Sequence, residues 1–114
     1  MAERRMISKK VVQRDAFAIL PDKAKVLYFY LMLEADDDGF VGNTRSVMRY
    51  CGANAKSLEA LINEGFLIKF ESEVTAIRHW PMQNKVQKDR YNPTIYSKER
   101  SELDVDCYGS YFRA

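Results

Sequence analysis

The sequence predicts a single α+β domain, mainly helical, and three observations predict it. A long apolar stripe at helical spacing stands near the start, at residues 22–35. Two short capped helices follow with almost nothing between them, and then two β-rich segments joined by a charged turn. The chain of 114 residues is too short for two ordinary domains but long enough to bury one core. Hydrophobic residues make up 46% and aromatics 12%, which excludes general disorder.

Val11, Val12, Phe17 and Leu20 suggest a short helix ahead of the main one. Pro21 and Asp22 suit a helix N-terminus, and Ala24, Leu27, Tyr28, Leu31 and Ala35 make one stripe of a helix from Asp22 to Ala35. Val26, Phe29, Tyr30 and Leu33 add apolar groups on its other faces, so this helix is expected at the centre of the core. Asp36-Asp37-Asp38-Gly39 ends it in a polar turn, and Phe40-Val41 reads as a very short strand. Asn43 is expected to cap a helix over Thr44–Cys51, with Gly52 as its left-handed stop. Asn54 is expected to cap Ala55–Glu64, which Gly65 stops, with Leu58, Leu61 and Ile62 facing inward. Only Gly52 and Ala53 separate the first helix from the second cap, which is helix-turn-helix spacing. Phe66–Phe70 and Val74–Trp80 read as strands around the turn Glu71-Ser72-Glu73. Helix, short strand, two helices and a hairpin is the order of a winged helix, and it occupies residues 1–80. Residues 81–114 form a basic, aromatic extension expected to pack on that domain or on a partner. In it Pro81–Asn84 looks irregular, Thr94–Leu103 reads as a short helix, and Tyr108, Tyr111 and Phe112 need a covering surface.

The net charge of +2 conceals a pattern: residues 1–14 carry +4, 15–77 carry −4, 78–100 carry +4 and the remainder −2. In a helix-turn-helix the second helix enters the major groove, which makes Asn54, Lys56 and Ser57 candidate DNA contacts. From Asn54 to Glu73, however, two basic side chains face four acidic ones, a poor surface for phosphate. The flanks are the better candidates. Arg4, Arg5, Lys9 and Lys10 form an arm, and Lys85, Lys88 and Arg90 form a basic segment leaving the wing. Arg45 and Arg49 stand one helical turn apart beside the recognition helix. Tyr91 and Tyr96 interleave with the second basic cluster, a composition that suits stacking on single-stranded bases; a solvated charged tail is the plain alternative.

Other chemistries find no footing. Cys51 and Cys107 have neither disulfide-framework nor zinc spacing, and His79 is the only histidine. An EF-hand loop starting at Asp36 needs a carboxylate where Val47 stands, so the three aspartates read as a capped turn. The five glycines form neither a P-loop nor a dinucleotide fingerprint. No catalytic residues, cofactor or metal are expected, and the chain reads as a binding protein rather than an enzyme. The longest apolar run, Val26–Leu33, falls short of a membrane span, and the N-terminus lacks the apolar stretch of a signal peptide, so a cytoplasmic protein is expected.

Several strings, in order, resemble the N-terminal domain of phage replisome organiser proteins. They are Met1–Met6, Asp15-Ala16-Phe17, Leu27-Tyr28-Phe29, Ala35–Val41, Phe70-Glu71-Ser72, Ile77–Trp80 and, most particularly, Asn84-Lys85-Val86-Gln87-Lys88-Asp89-Arg90-Tyr91-Asn92-Pro93-Thr94-Ile95-Tyr96. The resemblance covers residues 1–103 and implies a winged-helix module from a phage or prophage, akin to DnaD-type primosomal proteins. It implies binding to duplex origin or single-stranded DNA, recruitment of a replicative helicase or its loader, and self-association into a homo-oligomer in the bacterial cytoplasm. The rival expectations are a protein-interaction module of the same fold with little DNA contact, and a winged-helix transcription regulator.

Overall fold

In the computed structural model, which describes residues 4–114, two four-residue helices lead into the main one: α1 (Lys9–Val12), α2 (Asp15–Ala18) and α3 (Asp22–Glu34). Two helices replace the one expected because Gln13 and Arg14 leave the helical path between Ser8, which caps α1, and Asp15. The α3 stripe is buried as its spacing requires, with Ala24, Leu27, Tyr28 and Leu31 inaccessible to solvent. Phe17, Tyr28 and Phe66 meet edge to face, with Phe17 5.3 Å from each of the other two rings, and anchor α2 and α3 to the hairpin side of the core. α3 lies in the core as expected, but not on every face: its buried stripe meets α4 (Thr44–Cys51), α5 (Ala55–Asn63), Phe17 and Gln83, while Val26, Tyr30 and Leu33 are exposed.

Strand β1 (Phe40–Val41) precedes α4, and β2 (Leu67–Lys69) and β3 (Thr75–Ile77) follow α5. The three make an antiparallel sheet in the order β1-β3-β2, with Phe40 opposite Ala76 and Leu67 opposite Ile77. α4 ends at Gly52, whose φ of 78° lets the chain turn left-handed toward the next cap. Asn54 caps α5 reciprocally with Ser57, but Asn43 does not cap α4: its amide donates instead to Glu34 at 2.9 Å. The strands stop short of their expected ends. After Ile77 the chain turns so that Trp80 can bury, and Pro81 at a helix start opens α6 (Trp80–Gln83) where irregular chain was expected.

The last segment folds back on the domain. α7 (Ser97–Ser101) is shorter than the helix expected there, and Leu103 begins a hairpin of β4 (Leu103–Val105) and β5 (Tyr111–Arg113). Leu103 and Tyr111 belong to the same buried cluster as Trp80 and Phe40. The Tyr111 amide donates to Arg78 O at 2.7 Å and its hydroxyl to Asp38 O at 2.7 Å. Ser72 at the tip of the β2–β3 turn donates to Glu99 at 2.6 Å, and the Arg113 guanidinium lies 4.8 Å over the Phe70 ring. The result is an α+β fold, mostly helical, with two small antiparallel sheets. Among the described residues no helix is long and apolar enough to cross a membrane, and no cluster of three or more His, Cys, Asp or Glu is placed to hold a metal ion.

Candidate nucleic-acid interface

The turn Asp36–Gly39 positions the basic segments. Asp36 Oδ1 accepts from the amides of Asp38 and Phe40, both at 3.0 Å, which closes the turn on itself. Gly39 sits at φ 87°, and a Cβ there would collide with the Trp80 ring, so the turn needs glycine twice over. The remaining carboxylate oxygens face outward and gather distant chain. Asp36 Oδ2 accepts from the Thr94 hydroxyl at 2.5 Å, and Asp38 accepts from the Thr94 amide at 2.8 Å. Asp37 takes the Asn92 amide at 3.0 Å on one oxygen and the Arg5 guanidinium at 3.2 Å on the other. The aspartates that read in sequence as a capped turn form one, and they also dock residues 92–94 and the N-terminal segment.

A second set of bonds lays that N-terminal segment along the chain leaving α6. The Asn84 side chain accepts from the Met6 amide at 2.8 Å and donates to the Met6 carbonyl at 3.0 Å, as a strand partner would. Gln83, buried, accepts from the Ser8 amide at 2.9 Å and donates to the Tyr28 hydroxyl at 3.1 Å and to His79 O at 3.0 Å. Burial pushes the Tyr28 phenol up to about 12, so it stays neutral at physiological pH. The two basic flanks, some eighty residues apart in sequence, are thereby neighbours. Arg4, Lys85 and Arg90 line one cleft of about 550 Å³ together with Asn84 and Gln87. Among the described residues its only carboxylate is Asp37, which is already paired with Arg5.

Arg5 itself is a correction to the expected arm. Its side chain is only 3% exposed, held by Asp37, by Ala35 O at 2.8 Å, and 5.1 Å over the Trp80 ring. It fastens the segment and lines the cleft with its charge engaged by Asp37. Lys9 and Lys10 are exposed on α1 but do not line the cleft. Lys88 lines an adjoining hollow with Tyr91 and Arg100, sharing Asn84 and Val86 with the first. Among the described residues none of Arg4, Lys9, Lys10, Lys85, Lys88 and Arg90 is in an ion pair. Tyr91 donates its hydroxyl to both oxygens of Asp38, at 2.8 and 2.7 Å; burial and that carboxylate push its phenol up to about 12. Tyr96 does not join it: its hydroxyl presses on Gly42, in a separate groove beside β1.

The α5 candidates fare differently from the flanks. Ser57 is buried, and its hydroxyl and amide both bond Asn54 Oδ1 at 3.0 Å while its Oγ accepts the Asn54 amide at 3.3 Å. Ser57 is therefore committed to the cap rather than to a groove-reading surface, as is the Asn54 carbonyl oxygen. Lys56 stays exposed. Arg45 and Arg49 line a groove between α4, α5 and the hairpin, but Glu59 and Glu73 line it too, so its charge is mixed. Sequence reasoning missed the roles of Gln83, Asn84 and Asp37, and no local signal marks them, since the partners that bring distant chain to them lie 32 to 78 residues away. Comparison of the chain with protein-family models, with curated proteins and with solved structures finds no match.

Proposed function

We propose that this chain is a winged-helix DNA-binding module of the replisome-organiser kind, acting in the initiation of DNA replication in a phage or prophage. The winged-helix reading is supported by the order of elements from α3 to β3 and by the addition of β1 to the hairpin on the β3 side. One observation carries the DNA reading: the two basic flanks converge on one cleft in which the only carboxylate among the described residues, Asp37, is paired with Arg5. Free cations grouped in this way attract phosphate by releasing its counterions, and the affinity that results falls with salt. Contact with a replicative helicase or its loader belongs to the same proposal through the sequence resemblance alone.

The test is a titration of duplex and single-stranded DNA at two salt concentrations. Binding through Arg4, Lys85 and Arg90 neutralises about three phosphates, so the logarithm of affinity should fall with the logarithm of salt at a slope of about −2 to −3. Absence of binding at low salt, or affinity indifferent to salt, rejects the proposal. A transcription regulator would instead protect a palindromic operator beside a promoter.

A second reading, self-association, is favoured by the uncovered side of α3. Val26, Tyr30 and Leu33 recur there at helical spacing, and Tyr50 of α4 meets Tyr30 edge to face at 5.7 Å. Light scattering checks it: a strict monomer at high concentration rejects this reading.

A further inference from the structure

The basic cleft is walled by extended chain rather than by a helix. Residues 84–87 have no regular secondary structure, and the turn after them is closed by the Arg90 amide donating to Gln87 O at 2.9 Å. A volume of about 550 Å³ is that of a small-ligand pocket and takes a single sugar-phosphate unit. Duplex DNA is read instead by an element that fills a groove about 12 Å wide. Among the described residues the element of that kind is α5, which begins with side chains locked in its cap and borders a groove of mixed charge, where Glu59 and Glu73 stand among Arg45, Arg49 and Lys69. Beside the cleft, Tyr91 offers something a duplex has no use for. Its hydroxyl is pinned by Asp38, which fixes the ring, and the residue remains 41% exposed. Lys88 shares its hollow, and Lys85 and Arg90 stand across the wall formed by Asn84 and Val86.

We infer that this face binds a single DNA strand, with phosphates in the cleft on Arg4, Lys85 and Arg90 and a base stacked on Tyr91. The inference rests on the DNA-binding reading and adds the strandedness of the ligand and the residue that decides it. Every base has a π-face, so the site takes strands with little regard to sequence, and a paired, stacked base cannot reach Tyr91 without leaving its helix. Asp38 acts as a positioning residue, because it holds the ring at the cleft's edge.

The experiment is fluorescence anisotropy on the full chain at low and moderate salt. Three labelled probes of about twelve nucleotides, within the site size of one binding fold, are a thymidine strand, an abasic strand of the same length and a duplex. The thymidine strand should bind about tenfold more tightly than either of the others. Tyr91→Leu should weaken the thymidine strand about tenfold, to the level of the abasic one, and leave abasic binding unchanged. Tyr91→Phe, which keeps the ring, should stay within a few-fold of the parent. The abasic comparison uses the unaltered protein and so stands even if a variant folds poorly. Duplex binding as tight as the thymidine strand, or equal binding of abasic and thymidine strands, overturns the inference while leaving the DNA-binding reading in place. Failure of every probe to bind at low salt removes both.

Discussion

Both ring nitrogens of His79 have a polar neighbour: Nδ1 lies 2.7 Å from Ser110 Oγ and Nε2 lies 3.2 Å from the Arg14 guanidinium. Guanidinium only donates, so Nε2 accepts from Arg14, and the tautomer assigned on that ground has Nδ1 donating to the serine hydroxyl. Burial, reinforced by the charges of Arg14 and Arg78, holds the imidazole down to about 4. The folded value lies below the unfolded 6.5, so as pH falls the unfolded chain takes up the proton first. Stability from this residue is therefore intact above about pH 6.5 and is lost progressively down to about pH 4. Between pH 7 and pH 5 the loss should be about 2 kcal/mol, and His79→Gln should remove that increment. Urea denaturation of both proteins at the two pH values measures it, and equal pH dependence of parent and variant would refute the assignment. The sequence marks His79 only as the sole histidine; its partners, at separations of 65 and 31 residues, exist only in the fold.

Among the elements, α4 and α5 show how far local signals reach. Both helices were legible nearly to the residue, because capping and left-handed stops act within one turn of chain. The identity of the caps was only half legible. Asn54 finds Ser57 three residues on and locks both, whereas Asn43 has Glu34 within reach across the β1 connection and bonds that instead. Asn54→Ala should therefore lower stability by about 1 kcal/mol, while Asn43→Ala should stay within about 0.5 kcal/mol. Chemical denaturation of the two variants decides it, and a loss at Asn43 as large as that at Asn54 would restore the cap. Periodicity likewise located α3 but left its outer side undecided. Apolar groups on every face suggest burial all round, yet Val26, Tyr30 and Leu33 are exposed while the buried stripe meets α4, α5, Phe17 and Gln83.

Over the whole molecule, the radius of gyration of 13.2 Å is that of a fully packed chain of this length, so the extension is no loose tail. Residues 97–114 close the core with Leu103 and Tyr111 and brace the β2–β3 turn through Glu99 and Arg113. Charge reversal at Lys85, Lys88 and Arg90 together should weaken DNA binding by at least about tenfold at moderate salt and flatten the salt dependence, while Lys56→Ala should change affinity less than about threefold. The opposite ranking in anisotropy titrations would move the contact to α5. The sequence by itself determined the element types and their order from α3 to β3, the two helix stops and the alternation of charge, because each is written in residues a few positions apart. The tertiary structure alone decided what the charges do. It buried Arg5 against Asp37, turned three aspartates into a dock for residues 92–94, and used Asn84 to lay one basic flank beside the other. Those outcomes depend on which distant groups meet, and a buried polar group takes whichever partner the packing brings within hydrogen-bond reach.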